Sequence, residues 1–252
     1  MLIAAPAKLT RTLRIVGVRA DGYHLLDAEM IALDLADEVE VMPGGSGLVV
    51  DGPFAAGVPV DRHNLAARAL DLVGRRAGLR ITKRIPHGGG LGGGSADAAA
   101  ILRWAGVTDP TGAASLGADV PFCVIGGRAR VRGVGELVEP LAHEPLTVTL
   151  VVPPLAVSTP AVYRAWDELG GPTAAGPNDL EPAALRAEPG LARWRDAIGD
   201  LTGEVPVLAG SGSTWFVPGE RDGALAALGG EGAVVIVARA IPGSGSRYLR
   251  RW

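Results

Sequence analysis

The sequence has few cysteines, histidines and aromatic residues. Cys123 is the only cysteine in 252 residues, which excludes an internal disulfide. The four histidines lie far apart, without the close spacing of metal ligands. Aromatic residues make up 4% of the chain, and only three of them are tyrosines. The sequence therefore supports neither a disulfide scaffold nor a zinc site.

Long hydrophobic runs and long basic runs are also missing. No stretch of about 18 residues is apolar throughout, and the first eight residues lack the basic region of a signal peptide. We therefore expect a soluble, cytoplasmic protein. Lys and Arg number 24 against 27 Asp and Glu, a net charge of −3, and they form no long run. Binding to nucleic acid is therefore not expected, and a small molecule is the better candidate ligand.

Glycine and proline, in contrast, are abundant, with 37 and 19 residues. Since 48% of the chain is hydrophobic, it can still bury a core, and its length allows one large or two small domains. In the first half, alternating apolar residues predict strands, and Asn64 fits the N-cap of a helix that runs towards Gly78. The strands are predicted at 8–16, 25–35, 38–42, 48–50 and 79–85.

The second half begins with a β-branched run at 146–152, which predicts a strand and a domain boundary near residue 145. Helical segments, a pair of strands, a helix and a last strand follow, an order that fits a ferredoxin-like arrangement with one extra helix. We therefore predict an α+β fold with domains 1–144 and 145–252. The predicted helices are 161–169, 180–186, 191–201 and 221–228, and the predicted strands are 205–208, 214–217 and 233–238.

A glycine loop between a predicted strand and a predicted helix is the strongest motif. Six of the seven residues from 88 to 94 are glycine, and Ser95 follows. Glycines allow backbone N–H groups to surround one anion, and the start of the helix adds a positive dipole end, so this loop fits a phosphate. The alternative is a tight turn without a ligand.

Two common nucleotide motifs fit this loop poorly. No lysine precedes Ser95, which excludes a Walker loop. Gly88, Gly90 and Gly93 match the dinucleotide fingerprint by their letters, but the strand expected after the helix is replaced by 108–112. A dinucleotide-dependent oxidoreductase is therefore a distant alternative.

Five motifs together resemble the GHMP small-molecule kinases, over nearly the whole chain and in the right order. They are Pro6-Ala7-Lys8, Asp21-Gly22-Tyr23-His24, Gly88 to Ser95, Leu116-Gly117-Ala118-Asp119-Val120-Pro121-Phe122 and Gly210-Ser211-Gly212-Ser213. The resemblance implies a ribosomal-protein-S5-like N-terminal domain, a ferredoxin-like C-terminal domain and an active site between them.

The resemblance also implies an activity. GHMP kinases transfer the γ-phosphoryl group of ATP, with Mg²⁺, to a small-molecule alcohol. The second and fourth motifs point to members whose acceptor is the tertiary 2-hydroxyl of a cytidine-diphosphate sugar alcohol in non-mevalonate isoprenoid biosynthesis. The expected partners are ATP and that substrate, with no membrane, and the expected assembly is a monomer or a weak homodimer.

The resemblance assigns the catalytic roles to Lys8 and Asp119. Asp119 would accept the proton of the hydroxyl, and Lys8 would neutralise charge on the transferred group. The alternatives are a turn or cap aspartate for Asp119 and a solvated lysine at a strand end for Lys8. The positions assigned to ATP are Asn64, Lys83, Gly88, Gly89, Gly90, Gly92, Gly93, Gly94 and Ser95.

The resemblance assigns the acceptor to aromatic and polar groups, with Tyr23 and Tyr163 stacking on the base and His24 reading its edge. Tyr23 and Tyr163 could instead be packing residues, Thr159 a helix cap, and 210–213 a plain hairpin turn. No metal ligand is assigned. The substrate positions are Thr10, Tyr23, His24, Thr159, Tyr163, Gly210, Ser211 and Gly212.

The sequence departs from the family pattern at three places. Thr10 stands where the family usually has asparagine, and strand alternation puts it on the same face as Lys8. Arg11 and Arg14 add charge to the same strand, and the segment 101–116 is shortened. These departures leave open a kinase for a different alcohol and a nucleotide-binding paralogue without catalysis.

Overall fold

The structure is a computed structural model that describes residues 1–107 and 109–243. Its first half combines a six-stranded sheet with three helices. The strands are β1 (Leu2–Val18), β2 (His24–Pro43), β3 (Leu48–Asp51), β4 (Ala77–Thr82), β5 (Arg128–Gly133) and β6 (Leu137–Leu141), and the helices are α1 (Leu65–Leu72), α2 (Gly93–Trp104) and α3 (Val120–Ile125).

The long strand β2 organises this sheet. It pairs antiparallel with β1 along one edge, and with β5 and then β4 along the other. Alternate residues of β1 at 3, 5, 7 and 9 are buried, as expected of a strand with one face on the core. The pairing of β1 shifts register between Pro6 and Lys8 and again between Thr10 and Thr12. Such bulges re-aim side chains, and these two bracket Lys8 and Thr10.

The second half contains a four-stranded antiparallel sheet in the order β10-β7-β9-β8. This is the strand order of a ferredoxin-like fold, and it confirms the predicted α+β class. The strands are β7 (Thr147–Val152), β8 (Val207–Leu208), β9 (Trp215–Pro218) and β10 (Val234–Arg239), and the helices are α4 (Thr159–Glu168), α5 (Glu181–Ala187), α6 (Gly190–Thr202) and α7 (Asp222–Gly230).

Several element boundaries differ from the sequence prediction. Three helices separate β7 from β8, so the count of one extra helix was wrong. The predicted strands 25–35 and 38–42 form one strand, β2. The predicted helix towards Gly78 ends at Leu72 because 77–82 joins the sheet.

The predicted strand to Ile85 stops at Thr82 because the amides of Arg84 and Ile85 donate to the Asp37 carboxylate. The sequence prediction missed α3, β5 and β6.

Backbone hydrogen bonds join the two halves at several points. Leu13 of β1 exchanges two of them with Pro177 and Asp179, both of 2.9 Å. After β10, the amide of Ile241 donates to Ala32 of β2, also at 2.9 Å. The division at residue 144 lies between β6 and β7, and as a domain boundary it stays a prediction. None of the helices among the described residues is long and apolar enough to cross a membrane.

Candidate active site

A cleft of about 740 Å³ lies where the two halves of the chain meet. Its walls come from β1, the glycine loop, the start of α3, α4 and the loop 209–213. This volume is in the range of sites that enclose a small molecule. The cleft therefore offers room for a nucleotide or a similar ligand, and its chemistry depends on the side chains that face it.

Two oppositely charged side chains meet at the centre of this cleft. Lys8 Nζ lies 3.3 Å from Asp119 Oδ2 and donates to Thr10 Oγ1 at 3.2 Å. The Lys8 side chain is 7% exposed, whereas that of Asp119 is 31% exposed. Lys8 is therefore not a solvated lysine at a strand end. It is a buried cation held by β1, with a carboxylate partner that solvent and a ligand can reach.

Asp119 occupies the N-cap position of α3, yet its side chain makes no capping hydrogen bond. The alternative of a cap aspartate is therefore wrong. The carboxylate instead faces Lys8, in position to accept a proton from a group bound in the cleft.

The glycine loop lies against Lys8 and leads into α2. The amide of Lys8 donates to Leu91 O at 3.0 Å, which fixes the loop beside β1. Gly92 has φ +69°, and a Cβ there would lie 2.6 Å from Lys8 Cγ, so only glycine fits. α2 begins at Gly93, and its first amides have no acceptor within the helix. The loop and the helix start together present N–H groups that suit an anion.

The loop 209–213 closes over the glycine loop from the second half. Gly90 would place a Cβ 2.6 Å from Gly212 O, so the two backbones are in direct contact. Thr214 Oγ1 donates to Gly89 O at 2.5 Å, and the buried Asn178 side chain donates to Gly210 O at 2.7 Å. This is more than a plain hairpin turn, because it forms part of the wall of the cleft.

An aromatic cluster forms the other end of the cleft. The rings of His24 and Tyr163 lie 4.7 Å apart between centroids, and the Trp166 ring meets His24 edge-on at 5.3 Å. His24 Nε2 lies 2.8 Å from Asp167 Oδ1. Burial, with a smaller contribution from the charge of Asp119, raises the pKa of Tyr163 to about 12, so its hydroxyl stays neutral.

Comparison with known proteins identifies the family. Residues 64–127 match the family model described as the GHMP kinases N terminal domain. A 4-diphosphocytidyl-2-C-methyl-D-erythritol kinase of Paracoccus denitrificans is 42% identical over 84% of this chain and 85% of its own length. The chain belongs to this family of kinases. A kinase of the same name from Dinoroseobacter shibae is 38% identical over 84% of this chain and 83% of its own.

Solved structures agree with membership of the 4-diphosphocytidyl-2-C-methyl-D-erythritol kinase family. The crystal structure of a 4-(cytidine 5'-diphospho)-2C-methyl-D-erythritol kinase matches with a TM-score of 0.78 and 37% identity, covering 96% of this chain and 100% of the other. A mevalonate kinase of L. major, in complex with R-mevalonate, matches with a TM-score of 0.67 at 16% identity, over 98% of this chain and 97% of its own. At this low identity, the match to the mevalonate kinase supports the fold alone. Together these matches confirm the predicted GHMP kinase fold.

Most residues predicted for the site line one cleft. Asn64 does not, because its side chain caps α1 by accepting from the Ala66 amide and donates to Pro59 O. Gly212 is absent from the lining as well, although it touches Gly90. The predicted residues that line the cleft are Lys8, Thr10, Tyr23, His24, Lys83, Gly88, Gly89, Gly90, Gly92, Gly93, Gly94, Ser95, Asp119, Thr159, Tyr163, Gly210 and Ser211.

Three of these residues have surroundings that the sequence did not suggest. Tyr23 is 63% exposed, with the Arg19 guanidinium 5.7 Å from its ring centroid. Thr159 is no helix cap, since its hydroxyl lies 2.8 Å from that of Ser211. Lys83 is buried and ion-paired with Asp37 and Asp97, so its ammonium is already satisfied by the protein.

Sequence reasoning missed other lining residues, among them His87, Arg164 and Asp167. Arg164 and Asp167 lie on α4, one residue and one turn beyond Tyr163, so helical periodicity from a predicted ligand residue could have found Asp167. His87 directly precedes the glycine loop. Arg11 and Arg14, in contrast, pair with Glu29 and Asp179 and do not line the cleft.

Proposed function

We propose that the chain is an ATP-dependent kinase that phosphorylates the 2-hydroxyl of 4-diphosphocytidyl-2-C-methyl-D-erythritol in non-mevalonate isoprenoid biosynthesis. One observation carries the proposal: Lys8 and Asp119 lie 3.3 Å apart beside the glycine loop, in a chain 42% identical to a kinase of that name. Proximity of a carboxylate and a cation to a phosphate-binding loop is what a phosphoryl transfer requires.

The glycine loop is the proposed site of the ATP phosphates. Its residues 88–90 and 92–94, together with Ser95, line the cleft directly beside Lys8. The free amides at the start of α2 and the positive end of its dipole favour the negative phosphates there. The Ser95 hydroxyl adds one more donor.

Asp119 and Lys8 are the proposed catalytic residues. A tertiary hydroxyl is a weak nucleophile, so Asp119 accepts its proton as the oxygen bonds to the γ-phosphorus of ATP. The bond from the γ-phosphorus to the bridging oxygen breaks at the same time, and ADP leaves. The Lys8 ammonium stabilises the negative charge on the transferred group, and its bond to Thr10 Oγ1 keeps it in place.

The aromatic end of the cleft is the proposed site of the cytosine. His24 and Tyr163 offer flat surfaces, and Asp167 holds the His24 ring through Nε2, which leaves Nδ1 for the edge of a base. Thr10 reaches the centre of the cleft, with its hydroxyl 3.6 Å from where a Cβ of Gly210 would lie. It therefore faces the part of the acceptor that carries the reacting hydroxyl.

Mg²⁺ is proposed to enter with ATP, because phosphate oxygens bind this cation readily and its positive charge neutralises part of their negative charge. The described residues contain no group of three acidic, histidine or cysteine side chains that could hold a metal ion. No protein ligand is therefore assigned to it. A cytoplasmic location and a monomer or weak homodimer stay predictions.

The test is an ADP-release assay with Mg-ATP and a panel of acceptors. The panel contains 4-diphosphocytidyl-2-C-methyl-D-erythritol, mevalonate and homoserine, the last two being the alcohols named for more distant GHMP kinases of the same fold. We expect kcat/KM with the cytidine compound to be at least about 100-fold above that with the other two. Only this compound carries a base that can fill the aromatic end of the cleft.

Two results would contradict the proposal. Turnover with another alcohol and none with the cytidine compound would show that Thr10 marks a changed acceptor. ATP binding without transfer to any alcohol would show a nucleotide-binding paralogue.

A further inference from the structure

A buried group of three charged side chains lies directly beneath the glycine loop. Lys83 Nζ contacts Asp37 Oδ2 and lies 2.6 Å from Asp97 Oδ2. The three side chains are 3%, 0% and 2% exposed, in the order Lys83, Asp37, Asp97. A Cβ on Gly93 would lie 3.2 Å from Lys83 Nζ and 3.3 Å from Asp37 Oδ2. The charge of this trio therefore lies one layer below the loop proposed to hold the ATP phosphates.

The two carboxyl groups of the trio have different environments. Asp37 Oδ1 accepts from the amides of Arg84 at 2.5 Å and Ile85 at 2.8 Å, while its Oδ2 contacts Lys83. Asp97 Oδ2 has Lys83 as its partner, whereas the buried Asp97 Oδ1 has no hydrogen-bond partner. Three donors therefore contact the Asp37 carboxylate, whereas an ionised Asp97 would leave one buried oxygen without a donor.

The charge balance points the same way. With both carboxyl groups ionised, the trio carries one uncompensated negative charge in the interior. That charge would also lie under the polyphosphate of ATP and repel it. With one proton on Asp97 the trio is neutral, and the adjacent Asp37 carboxylate, whose negative charge favours that proton, is the acceptor towards which its hydroxyl could turn.

The electrostatic surroundings support a proton at this site. Burial raises the pKa of Asp97 to about 7, with Lys83 opposing the rise and Asp37 adding to it. On α3, burial raises the pKa of Cys123 to about 12, so this thiol stays neutral. The elements packed against α2 are α1, α3, β1 and β2. Other charged or titratable groups on them include Lys8, Arg11 and Arg14 of β1, Glu29, Asp34, Glu38 and Glu40 of β2, Arg68 and Asp71 of α1 and Asp119 at the start of α3, with Arg103 on α2 itself and His87 in the loop before it.

We propose that Asp97 is a positioning residue of the phosphate loop and that it takes up a proton from solvent when ATP binds. The proposal rests on the assignment of the ATP phosphates to the glycine loop. Below the pKa of Asp97 the proton is already present, so ATP affinity does not depend on this group. Above it, binding must take up the proton, and the affinity falls as the pH rises, by at most about tenfold per pH unit.

The test compares wild type with Asp97→Asn by titration calorimetry with Mg-AMP-PNP. The amide mimics the neutral carboxyl, since its Nδ2 can donate to Asp37 as the hydroxyl would. Titrations in two buffers of different ionisation enthalpy give the number of protons taken up. We expect wild type to take up a fraction of a proton near pH 8 and to lose about three- to tenfold in affinity from pH 6 to pH 8.5 relative to the variant. Protons taken up or released by the nucleotide and by groups other than Asp97 are common to both proteins and cancel in the comparison.

A second measurement tests the proton on Asp97 without any nucleotide. A carboxyl whose pKa is raised by folding stabilises the fold fully below its unfolded value of about 3.8, and this contribution is lost as the pH rises through the folded value. In urea titrations, wild type should therefore lose stability relative to Asp97→Asn between about pH 4 and pH 7. Asp37→Asn is the matched control, and it should lower stability at every pH in this range because three donors lose an anionic acceptor.

The outcomes separate this inference from the proposed function. Equal proton uptake by wild type and Asp97→Asn, or a pH-independent stability difference between them, would overturn the inference. More than tenfold weaker binding by Asp97→Asn at pH 6 would also overturn it, because the loop would then need the charge. Wild type that binds no nucleotide would overturn the proposed function and the coupling, while the unfolding titration would still support or overturn the proton on Asp97.

Discussion

At the scale of single residues, His24 depends on a neighbour that the sequence did not mark. Asp167 holds the His24 ring from α4 through a 2.8 Å bond to Nε2. Removal of this carboxylate in Asp167→Ala leaves the ring free to rotate. We expect the KM for the cytidine substrate to rise about fivefold, since a partly exposed bond of this kind contributes about 1 kcal/mol, and the KM for ATP to stay unchanged.

Glu168→Ala is the matched control for this prediction. Glu168 is the next residue, and it pairs only loosely with Arg186, at 3.7 Å. Its removal should change neither KM. Steady-state kinetics with each substrate varied in turn check both variants, and an equal rise in both KM values for Asp167→Ala would argue against a role confined to the base.

Single residues also show what the sequence could and could not reveal. Lys8 and Asp119 lie in motifs that resemblance alone found, and the structure brings them to 3.3 Å. The buried partners of Lys83 were not found, because pairing over 46 and 14 residues leaves no local pattern. A signal did exist at Asp97, which is the only Asp, Glu, Lys or Arg between residues 85 and 102, on a helix whose neighbouring residues are buried.

At the scale of elements, the glycine loop and α2 form one unit whose shape depends on Gly92. Its φ of +69° is strained for other residues, and a Cβ would collide with the buried Lys8 side chain at 2.6 Å. Gly92→Ala should therefore lower the free energy of unfolding by about 1–3 kcal/mol and displace Lys8. Urea unfolding and the rate of phosphoryl transfer check these two effects.

Gly94→Ala provides the contrast within the same helix. Its φ lies outside the left-handed region, and the nearest atom to a new Cβ is Leu65 Cδ1 at 3.5 Å, an ordinary contact. Stability should stay equal or rise by about 0.5–1 kcal/mol, because alanine favours a helix over glycine. Equal destabilisation by both variants would contradict the special position of Gly92.

Elements were predictable where their pattern is local. The alternation in β1, the cap at Asn64 and the glycine loop before α2 were all readable from the sequence. β5 was missed although Ala129 and Val131 alternate with exposed arginines, because three arginines in six residues obscure a short strand. The end of β4 could not be predicted, since the Asp37 carboxylate, from 47 residues earlier, takes the amides that would have continued it.

At the scale of the whole molecule, the cleft exists because the two halves are joined across it. Thr214 Oγ1 in the second half donates to Gly89 O in the glycine loop, and both groups are buried. Thr214→Val keeps the shape and removes the donor. We expect a loss of about 1–2 kcal/mol in the free energy of unfolding and a higher KM for ATP, because Gly89 O keeps only the longer 3.3 Å bond from the Thr214 amide.

Thr202→Val removes a partly buried hydroxyl that does not connect the two halves, since its partners are Ile198 and Glu204 in the same half. Its hydroxyl donates to Ile198 O within α6, at 2.6 Å. Its removal should leave both KM values unchanged. If Thr214→Val also left the KM for ATP unchanged, contact between the halves would not be what shapes the phosphate loop.

The most direct test of the whole account is ³¹P NMR of the protein with Mg-ATP and 4-diphosphocytidyl-2-C-methyl-D-erythritol, beside Asp119→Asn. We predict a new phosphomonoester resonance and ADP with wild type. In Asp119→Asn, which leaves Lys8 and the glycine loop intact, transfer should slow by about 10²- to 10⁴-fold while ATP still binds. Wild-type rates in Asp119→Asn, or unchanged ATP and substrate with folded wild type, would contradict the account.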